Sequence, residues 1–257
     1  MTAQTDEVLV SRADGVLVLT INRPHARNAV TRAVAEGIAA GLDELDARPE
    51  LAAAVLTGAG GSFCAGMDLK AYLRGERPRI EGRGFAGLTE RPPVKPLIAA
   101  VEGPAVAGGC ELVLACDLVV ASRTARFGLP EVKRGLVAAA GGLLRLPHRV
   151  PEPVAMELAL TGDPLPAERA YQLGLVNRLT DEGGALAEAR ALAAAVAANG
   201  PLAVRASKRV LREQAGWPEA ERFARQREIT DPVFTSADAR EGALAFTEKR
   251  PPRWTGR

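Results

Sequence analysis

The stretch Ile98–Ser122, IAAVEGPAVAGGCELVLACDLVVAS, decides how this chain is read. LIAAVEG at its start and DLVVAS at its end are apolar, strand-like runs. Between them Gly108 and Gly109 open the segment CELVLAC, which reads as helix. The order is strand, tight turn, helix, strand. The two glycines let the backbone turn sharply, and a helix start leaves amide N–H groups without intrahelical partners. Such an end favours a negative oxygen. Glu111 then places a carboxylate among Leu, Val, Ala and Cys, where an isolated charge is costly. The segment therefore suggests oxyanion-binding amides beside an acid/base group. The plainer alternative is a solvent-facing Glu111, with glycines that serve only helix–strand packing.

Upstream, EVLVSRADGVLVLTINRP reads as a hairpin turned at Asp14-Gly15. Val34, Ile38, Leu42 and Leu45 recur at helical spacing within Thr31–Ala47. LAAAVLTG (51–58) is a buried strand that ends in the glycine-rich loop GAGGSFCAG (58–66). Residues 74–93 are rich in Gly, Arg and Pro and show no periodicity, which predicts a mobile surface loop or a lid. Downstream, helices are expected near 152–160 and 167–173, then a short strand LVNRLT. From Ala185 to Lys249 nearly everything reads as helix, broken at Gly200-Pro201 and Gly216-Trp217-Pro218. The alternation of strand and helix predicts an α/β core over residues 1–195, followed by a helical region over 196–257.

The 257 residues have a net charge of only +2, and their basic residues are dispersed without aromatic interleaving. Nucleic acid is a poor partner for such a chain. The 3 cysteines, Cys64, Cys110 and Cys116, lack CxxC spacing, and the 2 histidines lie far apart. Neither a zinc site nor a disulfide framework is expected, and a reducing cytoplasm fits best. No secretory leader and no long apolar run is evident, so no membrane partner is expected. A Rossmann fingerprint starting at Gly58 would place glycine or alanine where Phe63 stands. The P-loop and the G-x-S-x-G elbow are also absent, which disfavours a nucleotide-binding protein and a serine hydrolase.

Glu131, in FGLPEVKRG, is the second candidate carboxylate. Pro130 and Gly128 should hold it at a defined loop position, although an acid at a turn or helix start is commonly structural. Two glutamates with an oxyanion hole could add water across, or remove it from, carbons next to a thioester carbonyl. Cys64 and Cys110 flank these motifs but read as small buried apolar residues. Asp68 reads as the cap of a short helix after FCAG.

FCAGMDL (63–69), Ile98–Ser122 and FGLPEVKRGLVAAAGGLLRLP (127–147) together closely resemble the crotonase superfamily, which includes the enoyl-CoA hydratases. NRPHARNAV (22–30), LTGDPLPAERAYQLGLVNRL (160–179) and the ending EGALAFTEKRPPRWTGR extend the resemblance over essentially the whole chain. It implies a spiral of ββα units with a C-terminal helical region that builds trimers, often paired into hexamers. It implies an acyl-CoA thioester whose carbonyl oxygen is held by the amides of Ala65 and Gly108. Glu111 and Glu131 correspond to the glutamate pair of the hydratases. Arg27, Gly66, Met67, Asp68 and Leu69 fall in substrate-binding positions, while Phe246 and Lys249 would meet the CoA of a neighbouring subunit. No metal or redox cofactor is implied, because coenzyme A is part of the substrate. The expectation is reversible hydration of a 2-enoyl-CoA to a 3-hydroxyacyl-CoA. A carnitinyl-type dehydratase, an isomerase, a hydrolase or a non-catalytic acyl-CoA-binding protein are the alternatives.

Two residues and one turn depart from the usual hydratase pattern. Ala107 stands where many hydratases have a first glycine, VAAAGG follows Glu131 in place of a proline-containing turn, and His25 replaces a frequent lysine after NRP. FGLPEVKRGLV looks somewhat like the carnitinyl-CoA branch.

Overall fold

A computed structural model describes residues 7–257. Met1 to Asp6, the start of the expected core region, lie outside the described residues. Among the described residues the strands are β1 (Val8–Ala13), β2 (Val16–Ile21), β3 (Ala53–Gly58), β4 (Arg79–Ile80), β5 (Gly84–Phe85), β6 (Leu97–Val101), β7 (Pro104–Val106), β8 (Leu118–Ser122), β9 (Arg126–Gly128), β10 (Leu165–Pro166) and β11 (Arg178–Thr180). The α-helices of the described residues are α1 (Arg32–Ala47), α2 (Leu69–Leu73), α3 (Gly108–Ala115), α4 (Gly142–Arg145), α5 (Glu152–Thr161), α6 (Ala167–Gln172), α7 (Ala185–Ala197), α8 (Pro201–Glu213), α9 (Arg222–Phe234) and α10 (Ala237–Glu248). No helix among the described residues is long and apolar enough to cross a membrane.

The main sheet has six strands in the order β1-β2-β3-β6-β8-β11. The β1–β2 pair is antiparallel, and Asp14 and Gly15 at its turn both have positive φ, as a two-residue hairpin of matching twist requires. The other neighbours run parallel. Alternation along these strands divides the interior in two. Leu17, Leu19, Leu56, Leu97 and Val101 belong to the larger core with Val34, Ile38, Leu42 and Leu45 of α1. Val16, Val18, Val55, Ile98 and Val120 belong to a smaller core with Ala185, Ala189 and Ala193 of α7. Alanine at every fourth position gives α7 a face that can lie close to the sheet. A second sheet, β10-β9-β7, carries the turns that build the site.

The segment 74–93, expected as a mobile surface loop or a lid, packs into the body of the protein. Its β4–β5 hairpin precedes Ala86 and Leu88, both fully buried in the core. Gly87 nestles against Ala35 and Ala39 of α1, and Arg83 pairs with Asp43 of the same helix. The segment lacks periodicity because its apolar residues plug a gap one by one instead of forming a face.

The C-terminal region is held differently. Neither α8 nor α9 has a fully buried residue. Instead, Lys208 and Arg212 of α8 reach the Asp117 carboxylate at 2.6 and 2.8 Å. Lys208 also donates to the carbonyls of Pro93 and Lys95, and Arg212 to those of Ala115 and Cys116 at the end of α3.

Candidate active site

Two glycine-rich turns interlock at the head of α3. Cys64 bridges β7 by donating to the Pro104 carbonyl and accepting from Val106 N–H. On the opposite side, Val30 donates to the Gly66 carbonyl and accepts from Asp68 N–H. A Cβ at Gly66 (φ +91°) would overlap Ala107 and crowd the Gly108 nitrogen, and one at Gly109 would strike the Cys64 carbonyl. Only glycine lets these backbones approach so closely.

The amide expected from Ala65 is not available, which corrects one assignment. Its N–H donates to the Arg27 carbonyl at 3.0 Å. Consecutive N–H groups alternate direction along an extended segment, and Asp68 N–H is taken by Val30. The Met67 N–H therefore points away from Val30, towards α3. Among the described residues neither Met67 N–H nor Gly108 N–H has an acceptor. Met67 and Gly108 are the pair that the geometry leaves for an oxyanion.

Glu111, in the first turn of α3, is buried at 4% exposure. Its Oε1 accepts from Ala140 N–H at 2.7 Å and Gly142 N–H at 2.9 Å. Burial raises its pKa above the usual carboxylate value, the two amides oppose that shift, and the charge of Glu131 adds to it. The turn that departs from the hydratase pattern, VAAAGG, thus supplies the donors that hold Glu111. Glu131, in the 3-10 turn Pro130–Arg134, has a buried Oε2 without a hydrogen-bond partner. Burial raises its pKa too. Beside it opens a cavity of about 370 Å³, lined by Leu129, Val132, Val137, Leu143, Leu146 and Met156 among others, with Glu152 as its second carboxylate.

The other expected binding residues are scattered in role. Asp68 is committed to structure: it caps α2 by accepting from Lys70 and Ala71 N–H and pairs with Arg23 at 3.0 Å. Its carboxylate is therefore not free for substrate. The Arg27 side chain is exposed, while its carbonyl anchors Ala65. Leu69 is half-exposed beside Met67. Phe246 is 88% exposed on α10, and Lys249 at the end of that helix is exposed without an ion pair among the described residues. Burial pushes the Cys64, Cys110 and Cys116 thiols up to about 12, far from nucleophilic use.

The enoyl-CoA hydratase/isomerase family model matches residues 11–257. The chain belongs to that family. It is 42% identical to enoyl-CoA hydratase EchA19 of Mycobacterium tuberculosis over 98% of this chain and 97% of that protein. It is 40% identical to carnitinyl-CoA dehydratase of Escherichia coli strain K12, over 98% of this chain and 100% of the relative. The crystal structure of enoyl-CoA hydratase EchA1 from Mycobacterium marinum superposes with a TM-score of 0.97 at 62% identity, covering 98% of this chain and 100% of that one. The crotonase fold, with a helical C-terminal region, is thus the fold of this family member.

Proposed function

We propose that this enzyme is an enoyl-CoA hydratase, a hydro-lyase that reversibly adds water to a 2-enoyl-CoA. One observation carries the reading: a buried carboxylate, Glu111, and a partly buried one, Glu131, in unlike surroundings stand in one site with two unused amides. Glu111, its Oε1 held by two N–H donors, is suited to the ionised form. Glu131, with an unpartnered buried oxygen, is suited to carry the proton. In the hydration direction Glu111 takes a proton from water as the oxygen attacks C3. The electron pair of the double bond moves to the thioester oxygen, held by Met67 and Gly108 N–H. Glu131 then gives its proton to C2, and Glu111 returns the other through solvent. Removal of one oxyanion donor typically costs ~3–4 kcal/mol in barrier height. The scheme requires no metal or redox cofactor.

The apolar cavity beside Glu131 suits an acyl group with little polarity. Assembly as a trimer, or as a dimer of trimers, would bring Phe246 and Lys249 of one copy to the CoA of the next, with residues 196–257 serving that assembly. Work in the cytoplasm suits three unpaired cysteines. A second reading, dehydration of a carnitinyl-type thioester, is favoured by the 40% identical E. coli relative. A panel of 2-enoyl-CoA thioesters of rising chain length, with crotonobetainyl-CoA included, decides between them. Loss of enoyl absorbance with a gain of one water in product mass is expected for apolar substrates. Turnover of crotonobetainyl-CoA alone would replace the first reading by the second.

A further inference from the structure

We infer that Arg145 is a positioning residue that fixes the ionisation and orientation of Glu111 without touching the substrate. The inference rests on the hydratase reading for its kinetic consequence and on geometry for its physical content. Arg145, at the end of α4, is half-buried. One guanidinium nitrogen donates to the Thr89 carbonyl at 2.5 Å, and the other lies 3.5 Å from the Ala140 carbonyl. It lies so close under Gly141 that a Cβ there would overlap it. Ala140 and Gly142, on either side, are the residues whose N–H groups hold Glu111.

The guanidinium thus braces the outer side of the turn whose inner side grips the carboxylate. Its other anchor, Thr89, follows the segment that carries Phe85. The Phe85 ring covers Gly108 so closely that a Cβ at 108 would overlap it. One side chain therefore joins the Glu111 cradle to the cover of an oxyanion amide. It adds a positive charge near Glu111 with no direct ion pair, so the carboxylate keeps Oε2 without a partner among the described residues. The ionisable groups that face Glu111 are Arg145, which favours its ionised form, and Glu131, which opposes it. The Cys110 thiol lies on the same helix, Arg134 acts on Glu131, and Arg212 of α8 acts on Arg145.

Without Arg145 the turn can relax and the compensating charge is gone, so Glu111 should hold its proton to higher pH. The test is the Glu111 carboxyl titration, read by infrared difference between enzyme with and without Glu111→Gln, in the wild-type and Arg145→Met backgrounds. A midpoint moved up in Arg145→Met is expected, with kcat lowered ten- to a hundredfold and KM within about threefold. An unchanged midpoint in folded Arg145→Met overturns the inference whether or not the enzyme hydrates anything. Should that variant not fold, Arg145→Lys serves. It keeps the charge but reaches fewer carbonyls, so it should leave the midpoint nearer the wild-type value than Arg145→Met does while losing part of kcat. Wild-type kcat in Arg145→Lys would overturn the bracing role. Absence of water addition by the wild type, with the midpoint shift intact, would sink only the hydratase reading.

Discussion

The spiral core and the C-terminal helices are held by opposite means. Around α1 and the main sheet, whole rows of Leu, Ile and Val are fully buried, and even Glu111 sits in that interior. In α8 and α9 no residue is fully buried, while Leu211, Phe223, Phe234 and Phe246 stand largely exposed. What fastens α8 is a small set of charged contacts around Asp117. The core has the means to keep a catalytic geometry within tight bounds, since close-packed interiors deform little. The C-terminal helices leave apolar surface exposed, which the proposed assembly with another copy would cover. Chemistry and assembly should therefore be separable by mutation.

The hardest blow to that separation should fall in the core. Glu111→Gln and Glu131→Gln are each expected to lower kcat by about a hundredfold or more, with substrate affinity little changed, because the amide keeps the shape and loses the proton transfer. Stopped-flow hydration and calorimetric binding of a saturated acyl-CoA would check both halves. Full turnover in either variant would remove that glutamate from the scheme. Next comes the fastening of α8. Asp117→Asn leaves Lys208 and Arg212 without their carboxylate in a partly exposed site, at a cost of about 1–3 kcal/mol. For a chain of this size that lowers Tm by roughly 3–10 °C. The initial rate per folded enzyme at low temperature should change less than threefold. A large loss of kcat instead would show that core and appendage are not separable.

A smaller effect is expected at the far end of α10. Lys249→Ala should raise KM for the enoyl-CoA about two- to fivefold with kcat preserved, because an exposed ammonium contributes modestly to phosphate binding. Truncation after Thr235 should weaken assembly as well, read by light scattering. An active monomer, or an unchanged KM at low salt, would break the proposed sharing between subunits. The last effect is one of sign. Burial holds Glu111 above its ordinary pKa, so between the two values the folded chain binds more protons than the unfolded one. Stability is therefore fully present below the ordinary carboxylate value and falls as pH rises through the raised one. Relative to wild type, Glu111→Gln should gain Tm between pH 4 and pH 8. An equal difference at both pH values would show that the carboxylate bears no such penalty.

Much of this was legible in the residues. Asp14-Gly15 marked the β1–β2 turn, the spacing of Val34, Ile38, Leu42 and Leu45 marked α1, and Gly108-Gly109 marked the head of α3. The short strands β4, β5, β7, β9 and β10 were not legible, since two or three residues show no period. The misassigned amide has a similar cause. Ala65 and Met67 are both small steps from Gly66, and which N–H faces α3 depends on how Val30 and Arg27 pair with that segment. Pairing between residues so far apart in sequence leaves no local signal. Asp68 was legible as a cap, and the partner that fully commits it, Arg23, lies too far away in sequence to be foreseen.

Ala107 joins the two turns in a conformation that suits it poorly, with φ 52° and ψ −129°. It is held there from both sides, by its own N–H on the Gly128 carbonyl and by Glu111 N–H on its carbonyl. A side chain kept in such a region typically costs ~1–3 kcal/mol. Glycine would adopt the same angles freely, and a single nucleotide separates the two codons. The chain thus lives with a smaller reserve against later mutation than its fold allows. A lineage that placed glycine here would gain room to tolerate the destabilising changes by which a new acyl pocket is usually acquired.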